Sequence, residues 1–405
     1  MLQILSSERI TTLRESITRH RLLAYLVSAI ALLILTYGSG IVHDYGAYLR
    51  QWQNILGGAD PWLPAQDANG TIPKNAYGPI HVLFAWFVQI HPLMPKLILA
   101  VMTLGTCWFA FALKTTRNAQ SAAAEQLFLL YTLSPLVIIS VFAFSNNDGV
   151  VGVLVLAACA FRLRGAYGWA GLMLGLAALM KFYPLLFAPF FATARDGSLR
   201  LRTLLAAGGS FAVGMIFAWL RWGDTIFIPF LFGSGRASKD LSILRFLTAI
   251  KEELSIEPFV DYLHDINSVM VLAVTVLVAL WGWLTRQGWE ITSLMGILAI
   301  LMTYKVGHQQ FYVAWIALYA FVIAASEDQK AVAVARAFTP LSVFLAVYQV
   351  QFYAMILITG AYFEGPFFYV RVFGSLVLLG MVVWCLRRAR PYLTVNPGPT
   401  VSLRL

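Results

Sequence analysis

Apolar runs of roughly 15–25 residues recur from one end of this chain to the other, each near the length of about 20 residues that a helix needs to cross hydrocarbon. Such runs can be covered only by a bilayer or by one another. With 60% hydrophobic and 12% charged residues, the chain has too little polar surface to hide them in water. The sequence therefore predicts an all-α polytopic membrane protein; a transmembrane β-barrel would show alternating polarity instead. The first run, Leu22 to Val42, follows a polar segment carrying Arg9, Arg14, Arg19 and Arg21. It is too long for a signal-peptide core and lacks a convincing cleavage site, so it is expected to be retained as the first span.

The net charge of +10 does not point to nucleic acid, because the basic residues sit at the ends of apolar runs and not on one face. Their placement is topological. Cys107, Cys159 and Cys385 lie inside apolar segments without metal-ligand spacing and read as small buried hydrophobes.

Assigning most lysines and arginines to one side puts the N-terminus in the cytoplasm. Residues 1–21 form a cytoplasmic segment, 22–386 a single transmembrane domain, and 387–405 a cytoplasmic tail. Pro79–Ile90 covers only about 18 Å at 1.5 Å per residue and ends in HPLMP, so it is expected to be re-entrant or interfacial. Gln126–Phe144 and Val332–Ile358 each read as one span, and KFYP (181–184) as a break between Tyr167–Met180 and Pro184–Thr193. The total is about 12–13 transmembrane helices, with outer loops at 43–78 and 222–266.

Five polar clusters then fall on the outer side: HDYGAY (43–48), GGADPW (57–62), SNND (145–148), KFYP and YKVGHQQF (304–311). Ionisable groups at membrane depth are costly and usually line cavities, pair, or work. Asp44 is either an interfacial carboxylate or a general base that takes a proton from an attacking hydroxyl; His43 allows the same two readings. Lys181 and Lys305 either snorkel to the interface or grip a phosphate. Pro184 removes a backbone donor and exposes carbonyls that need polar partners. Asn146, Asn147 and Asp148 make a turn, or bind sugar hydroxyls. The chain has no Walker A sequence, no GxGxxG after a strand, no HExxH and no D-x-D pair, so no motif calls for nucleotide hydrolysis, a cofactor or a built-in metal.

The order and content of these clusters resemble the GT-C glycosyltransferases, and most of all the glycosylphosphatidylinositol mannosyltransferase I catalytic subunit family with its prokaryotic relatives. HDYGAYLRQWQNILGGADPWL followed by AYGPI resembles that family's first outer loop, with its acidic motif, G-x-x-P-aromatic step and Y-x-P. SPLVIISVFAFSNNDGVVGVLVL followed by GLMLGLAALMKFYPLLFAPF resembles its N-x-D and K-x-Y-P blocks, and TYKVGHQQFYVAW its K-V-x-x-x-Q-aromatic block.

The resemblance implies a GT-C-type bundle whose outer-face loops form the active site. It further implies inverting transfer of a hexose, commonly mannose, from a polyprenyl-phosphate sugar donor to a lipid or glycan acceptor on the outer or luminal face. Asp44 matches the catalytic-base position. Asn146, Asp148, Lys181, Tyr183, Lys305 and Gln310 match positions that contact donor or acceptor, the two lysines being assigned to the donor phosphate. His43, Tyr45 and His308 lie inside the same blocks and join them as substrate-binding candidates. Where the family commonly shows D-x-D, this chain has Val42-His43-Asp44, which weakens the case for a divalent metal. The loop 222–266, with Asp224, Arg236, Lys239, Asp240 and Arg245, does not match and is the expected seat of acceptor specificity.

The expected setting is a cell membrane with the site facing the periplasm, ahead of an endoplasmic reticulum membrane with a luminal site, among membrane lipids and compatible with an accessory subunit. A transporter or flippase for lipid-linked sugars is the rival class. It would favour an internal inverted repeat, which is not visible here.

Overall fold

A computed structural model describes residues 7–42, 44–106, 117–230, 235–359 and 366–393; His43 and Cys107 lie outside the described residues. The chain is an integral membrane protein built almost wholly of helices, with only two small two-stranded sheets among the described residues.

The helix Tyr312–Ala325 forms the axis of the core. It is apolar all round, as a helix enclosed by others must be, and every residue but Ile323 is buried. The Asp148–Leu163 helix packs on one side of it and Trp289–Thr303 on another, where the Trp315 indole donates to the Leu294 carbonyl at 3.0 Å. Around this core the apolar surface turns outward. Leu205 is 72% exposed, and Phe217 and Leu220 are each 69% exposed, along a helix that continues from Leu201 to Phe230. An apolar face of that size, on a helix long enough to span, fits hydrocarbon.

Among the described residues, three helices are long and apolar enough to cross a membrane alone: Leu201–Phe230, Asn267–Leu284 and Tyr369–Tyr392. Two bent pairs do so together, and seven shorter apolar helices fill the bundle. The bends correct two spans read as single helices. The run read as Gln126–Phe144 breaks by 55° between Ala122–Thr132 and Pro135–Ala143, and the run read as Val332–Ile358 breaks by 43° between Gln329–Ala337 and Thr339–Met355. The cause is alike in both. Pro135 and Pro340 lack the N–H that would continue the ladder, and their rings crowd the preceding turn.

Pro79–Ile90 resolves into two short helices, Pro79–Leu83 and Ala85–Val88, too short to cross. The segments between spans are also more ordered than loops. Residues 43–78 contain the helix Asp44–Leu56 and a hairpin, Ala65–Asp67 with Gly70–Ile72. Arg50 staples that hairpin to the helix through two 2.7 Å bonds to Asp67, and its guanidinium holds the Asp67 carboxyl below the usual carboxylate range. The region read as a long loop at 222–266 carries the helices Ile243–Ile250 and Glu257–Asp265. It also carries a two-residue strand, Lys239–Asp240, that pairs in parallel with Val306–Gly307.

Candidate active site

A cavity of about 270 Å³ opens where these interrupted segments meet. Asp44 lines it from the first residue of its helix, a place that favours an acid because the helix dipole is positive there. The carboxylate is exposed while the rest of the helix is anchored. Tyr45 Oη donates to the Pro92 carbonyl at 2.6 Å, Tyr48 Oη meets Tyr77 Oη at 2.7 Å, and the Trp52 indole donates to the His81 carbonyl at 2.8 Å. His81 itself is fully buried and bridges Gln51 Oε1 at 3.1 Å and Asn147 Nδ2 at 3.0 Å. The base candidate is therefore fixed to the SNND turn through one imidazole. Lys96 adds a second tie: its ammonium donates to Ser39 Oγ, the Gly40 carbonyl and the Ala143 carbonyl, within 2.6–3.0 Å.

The KFYP break answers its own chemistry. Lys181 leaves the Tyr167–Met180 helix in extended conformation, and the Met180 carbonyl freed by the break accepts from the Gly78 N–H at 3.0 Å. Gly78 belongs to the AYGPI segment, and a Cβ there would sit 2.2 Å from the Leu179 carbonyl oxygen, so only glycine permits this approach. The Lys181 ammonium pairs with Asp148 Oδ2 at 2.6 Å and lies 4.4 Å from the centre of the Phe311 ring. Tyr183 Oη donates to the other Asp148 oxygen at 3.3 Å. Asp148 opens its own helix, and Asn146 beside it donates to Gln310 Oε1 at 2.6 Å.

Five of the candidates found by sequence line the cavity: Asp44, Lys181, Tyr183, His308 and Gln310. Asn146 and Asp148 are buried one layer behind and hold Gln310 and Lys181 in place. Two are turned away. Tyr45 is buried with its hydroxyl on Pro92, and Lys305 donates from Nζ to the His264 carbonyl at 3.3 Å instead of reaching the cavity. The strand pairing explains Lys305: in a parallel pair alternate side chains face opposite sides, and Val306 and His308 take the inner side.

Arg236 and Lys239, from the loop expected to set acceptor specificity, line the same cavity, and Arg371 from the last membrane helix, which sequence reading missed, joins them. Arg371 Nε bonds Asp240 Oδ1 at 2.6 Å, and His308 Nδ1 bonds Asp240 Oδ2 at 2.7 Å. Burial alone would raise the Asp240 pKa, but His308 and Arg371 outweigh it and hold the carboxyl below its usual range. An arginine inside the apolar run Phe367–Leu386 was the available signal, since charge in a span is seldom idle. Among the described residues lining the cavity, Lys181, Arg236, Lys239 and Arg371 are cationic and Asp44 is the single acid. The arrangement can hold an anion beside an exposed carboxylate.

The sequence profile of Glycosyltransferase family 87 matches residues 75–304, more than half of the chain. The chain belongs to this family. It is a membrane glycosyltransferase. The matched stretch contains Asn146, Asp148, Lys181, Tyr183 and Asp240, whereas Asp44, His308 and Arg371 lie outside it. No curated protein sequence matches the chain. Among solved structures, one similar chain is the archaeal oligosaccharyltransferase AglB from Archaeoglobus fulgidus, in complex with an inhibitory peptide and a dolichol-phosphate. It is 14% identical, with a TM-score of 0.40, over 95% of this chain and 57% of that one. The family 87 chain thus spans little more than half that protein's length.

Proposed function

We propose that this glycosyltransferase moves a hexose, mannose by the resemblance of its motifs, from a polyprenyl-phosphate donor to a lipid or glycan acceptor with inversion. The reaction takes place at the face of the membrane where Asp44 and the interrupted helices gather, the periplasmic or outer face by the distribution of basic residues. The observation that carries this reading is an exposed carboxylate, Asp44, in a cavity whose other charged lining residues are cations.

Asp44 accepts the proton of an acceptor hydroxyl as its oxygen bonds to the anomeric carbon, and the bond from that carbon to the phosphate oxygen breaks on the opposite face. A single displacement inverts the anomeric centre. The cationic lining stabilises the charge that builds on the departing phosphate. Tyr77, Tyr304 and Phe311 supply apolar ring surface against which a sugar can lie.

The test is incubation of purified protein with a panel of polyprenyl-phosphate sugars, beside the Asp44→Ala variant. The expected result is consumption of one monosaccharide donor by the wild type, and no transfer but intact donor binding by the variant. Normal turnover by Asp44→Ala would remove the base assignment. A requirement for a lipid-linked oligosaccharide would replace the monosaccharide transferase with an oligosaccharide ligase or polymerase.

A further inference from the structure

We propose that the far end of the last membrane helix holds an anionic phospholipid, its phosphodiester headgroup seated between Arg336 and Arg388. This site stands apart from the donor reading. The helix Pro366–Ala389 supplies Arg371 to the active-site cavity near its start and carries Arg388 in its last turn, about 26 Å further along at 1.5 Å per residue. That length covers most of the hydrocarbon thickness, so the two arginines serve opposite boundaries of the membrane.

At the second boundary a cavity of about 320 Å³ opens between this helix and Gln329–Ala337. Gln329, Val332, Ala333 and Arg336 line it at the i, i+3, i+4, i+7 spacing that makes one face of a helix, and the short side chain of Ala333 leaves the space open. Arg388 and Tyr392 line it from the other side. The Arg388 guanidinium lies 5.2 Å from the centre of the Trp384 ring, one turn earlier. That contact holds a long side chain in place and lowers the entropy lost when it binds. Trp384 is 46% exposed and Tyr392 42%, amphipathic rings of the kind that gather where hydrocarbon gives way to headgroups.

The charges there favour an anion. Among the described residues, no carboxylate pairs with Arg336, Arg387, Arg388 or Arg390, and all four are exposed. Asp328, which caps the Gln329–Ala337 helix, is taken by Arg195 and by the Lys330 N–H, and residues 394–405 contain no Asp or Glu. The two helices that end here each bring only about half a negative charge at their C-termini. Arginines at span ends can serve topology alone, but topology does not call for two separate helices to place them on one cavity. The planar guanidinium fork matches a pair of phosphate oxygens. Val383 and Leu386 are exposed just before these arginines, apolar surface that acyl chains would cover and a free phosphate would not. Sequence reading places this end in the cytoplasm, beside the leaflet whose surface is negative.

The experiment is native mass spectrometry of the purified, delipidated full chain in detergent, with phosphatidylglycerol, phosphatidylcholine or glycerol 3-phosphate added. The wild type should retain one phosphatidylglycerol and hold neither of the others as tightly. Each arginine near a charged lipid surface is worth about fivefold, so Arg336→Gln with Arg388→Gln should weaken phosphatidylglycerol binding about 25-fold. Arg387→Gln with Arg390→Gln removes the same charge from outside this cavity and should cost less than about fivefold. Ala333→Phe fills the cavity without altering charge and should weaken binding about tenfold. Because the four arginines are exposed, both glutamine pairs should keep the wild-type melting temperature. Equal losses in the two arginine pairs, or full binding by Ala333→Phe, would reduce the effect to general attraction and overturn the site. Phosphatidylcholine or glycerol 3-phosphate held as tightly as phosphatidylglycerol would overturn the anionic lipid as its occupant.

Discussion

Lys181 Nζ lies 2.6 Å from Asp148 Oδ2, and Phe311 covers the ammonium from 4.4 Å. This pair ties the KFYP break to the start of the Asp148–Leu163 helix, with Lys181 on the cavity lining and Asp148 buried behind it. Lys181→Met alone strands a buried carboxylate and should destabilise the protein by about 3–5 kcal/mol. Adding Asp148→Asn should recover most of that loss. Thermal unfolding in detergent checks both, and equal melting temperatures for the single and double variants would contradict the pairing.

Asp44 is exposed, and the anchors of its helix belong to other residues, so its replacement should spare the fold. Asp44→Asn is expected to lower the rate of transfer by about 100-fold or more, the usual scale for a lost general base. Its melting temperature should stay at the wild-type value. The measurement is single-turnover transfer from the donor found in the panel assay.

Gly78→Ala puts a methyl group against the Leu179 carbonyl. Since backbone must move to admit it, the expected cost is about 1–3 kcal/mol, with lower activity because the same movement shifts Lys181. Gly58→Ala offers a contrast: nothing lies within 4 Å of a Cβ there, although φ is +89°, so any loss reflects backbone strain alone. A larger loss at Gly58 than at Gly78 would count against the close approach.

Acid sensitivity follows from Asp240. Its folded pKa lies below the usual value near 3.8, so its contribution to stability is fully present above that pH and lost as pH falls through the folded value. The groups that face it are His308, Arg371, Arg245, Lys239 and Tyr348. Melting curves taken between about pH 4.5 and 2 should fall less steeply for Asp240→Asn than for the wild type. Parallel curves would show that Asp240 does not carry the effect.

Much of this was readable from residue order. The apolar runs gave the membrane class, and Asp44, Lys181 and His308 stood out because charge is scarce in such a chain. The proline in KFYP marked a true break. Side-chain direction was not readable. Lys305 and His308 are three residues apart in one motif, yet only His308 faces the cavity, because the strand pairing with Lys239–Asp240 sets which side each occupies. That pairing joins distant segments and leaves no local pattern. Arg371 escaped notice for a related reason: its partner Asp240 is 131 residues away, and an arginine in the final span reads as a topological marker until its partner is seen. Pro135 and Pro340 carried a local signal for the bends that the length of their apolar runs concealed.

The short parallel ladder between Lys239–Asp240 and Val306–Gly307 also sets a mechanical condition. The segment before the Ile243–Ile250 helix cannot swing outward without breaking two backbone bonds and pulling Asp240 off His308 and Arg371. Opening this side of the molecule would therefore part Asp240 from His308 and Arg371 in the same stroke, so traffic through the cavity is compatible with an intact cluster only by routes that leave this hinge shut.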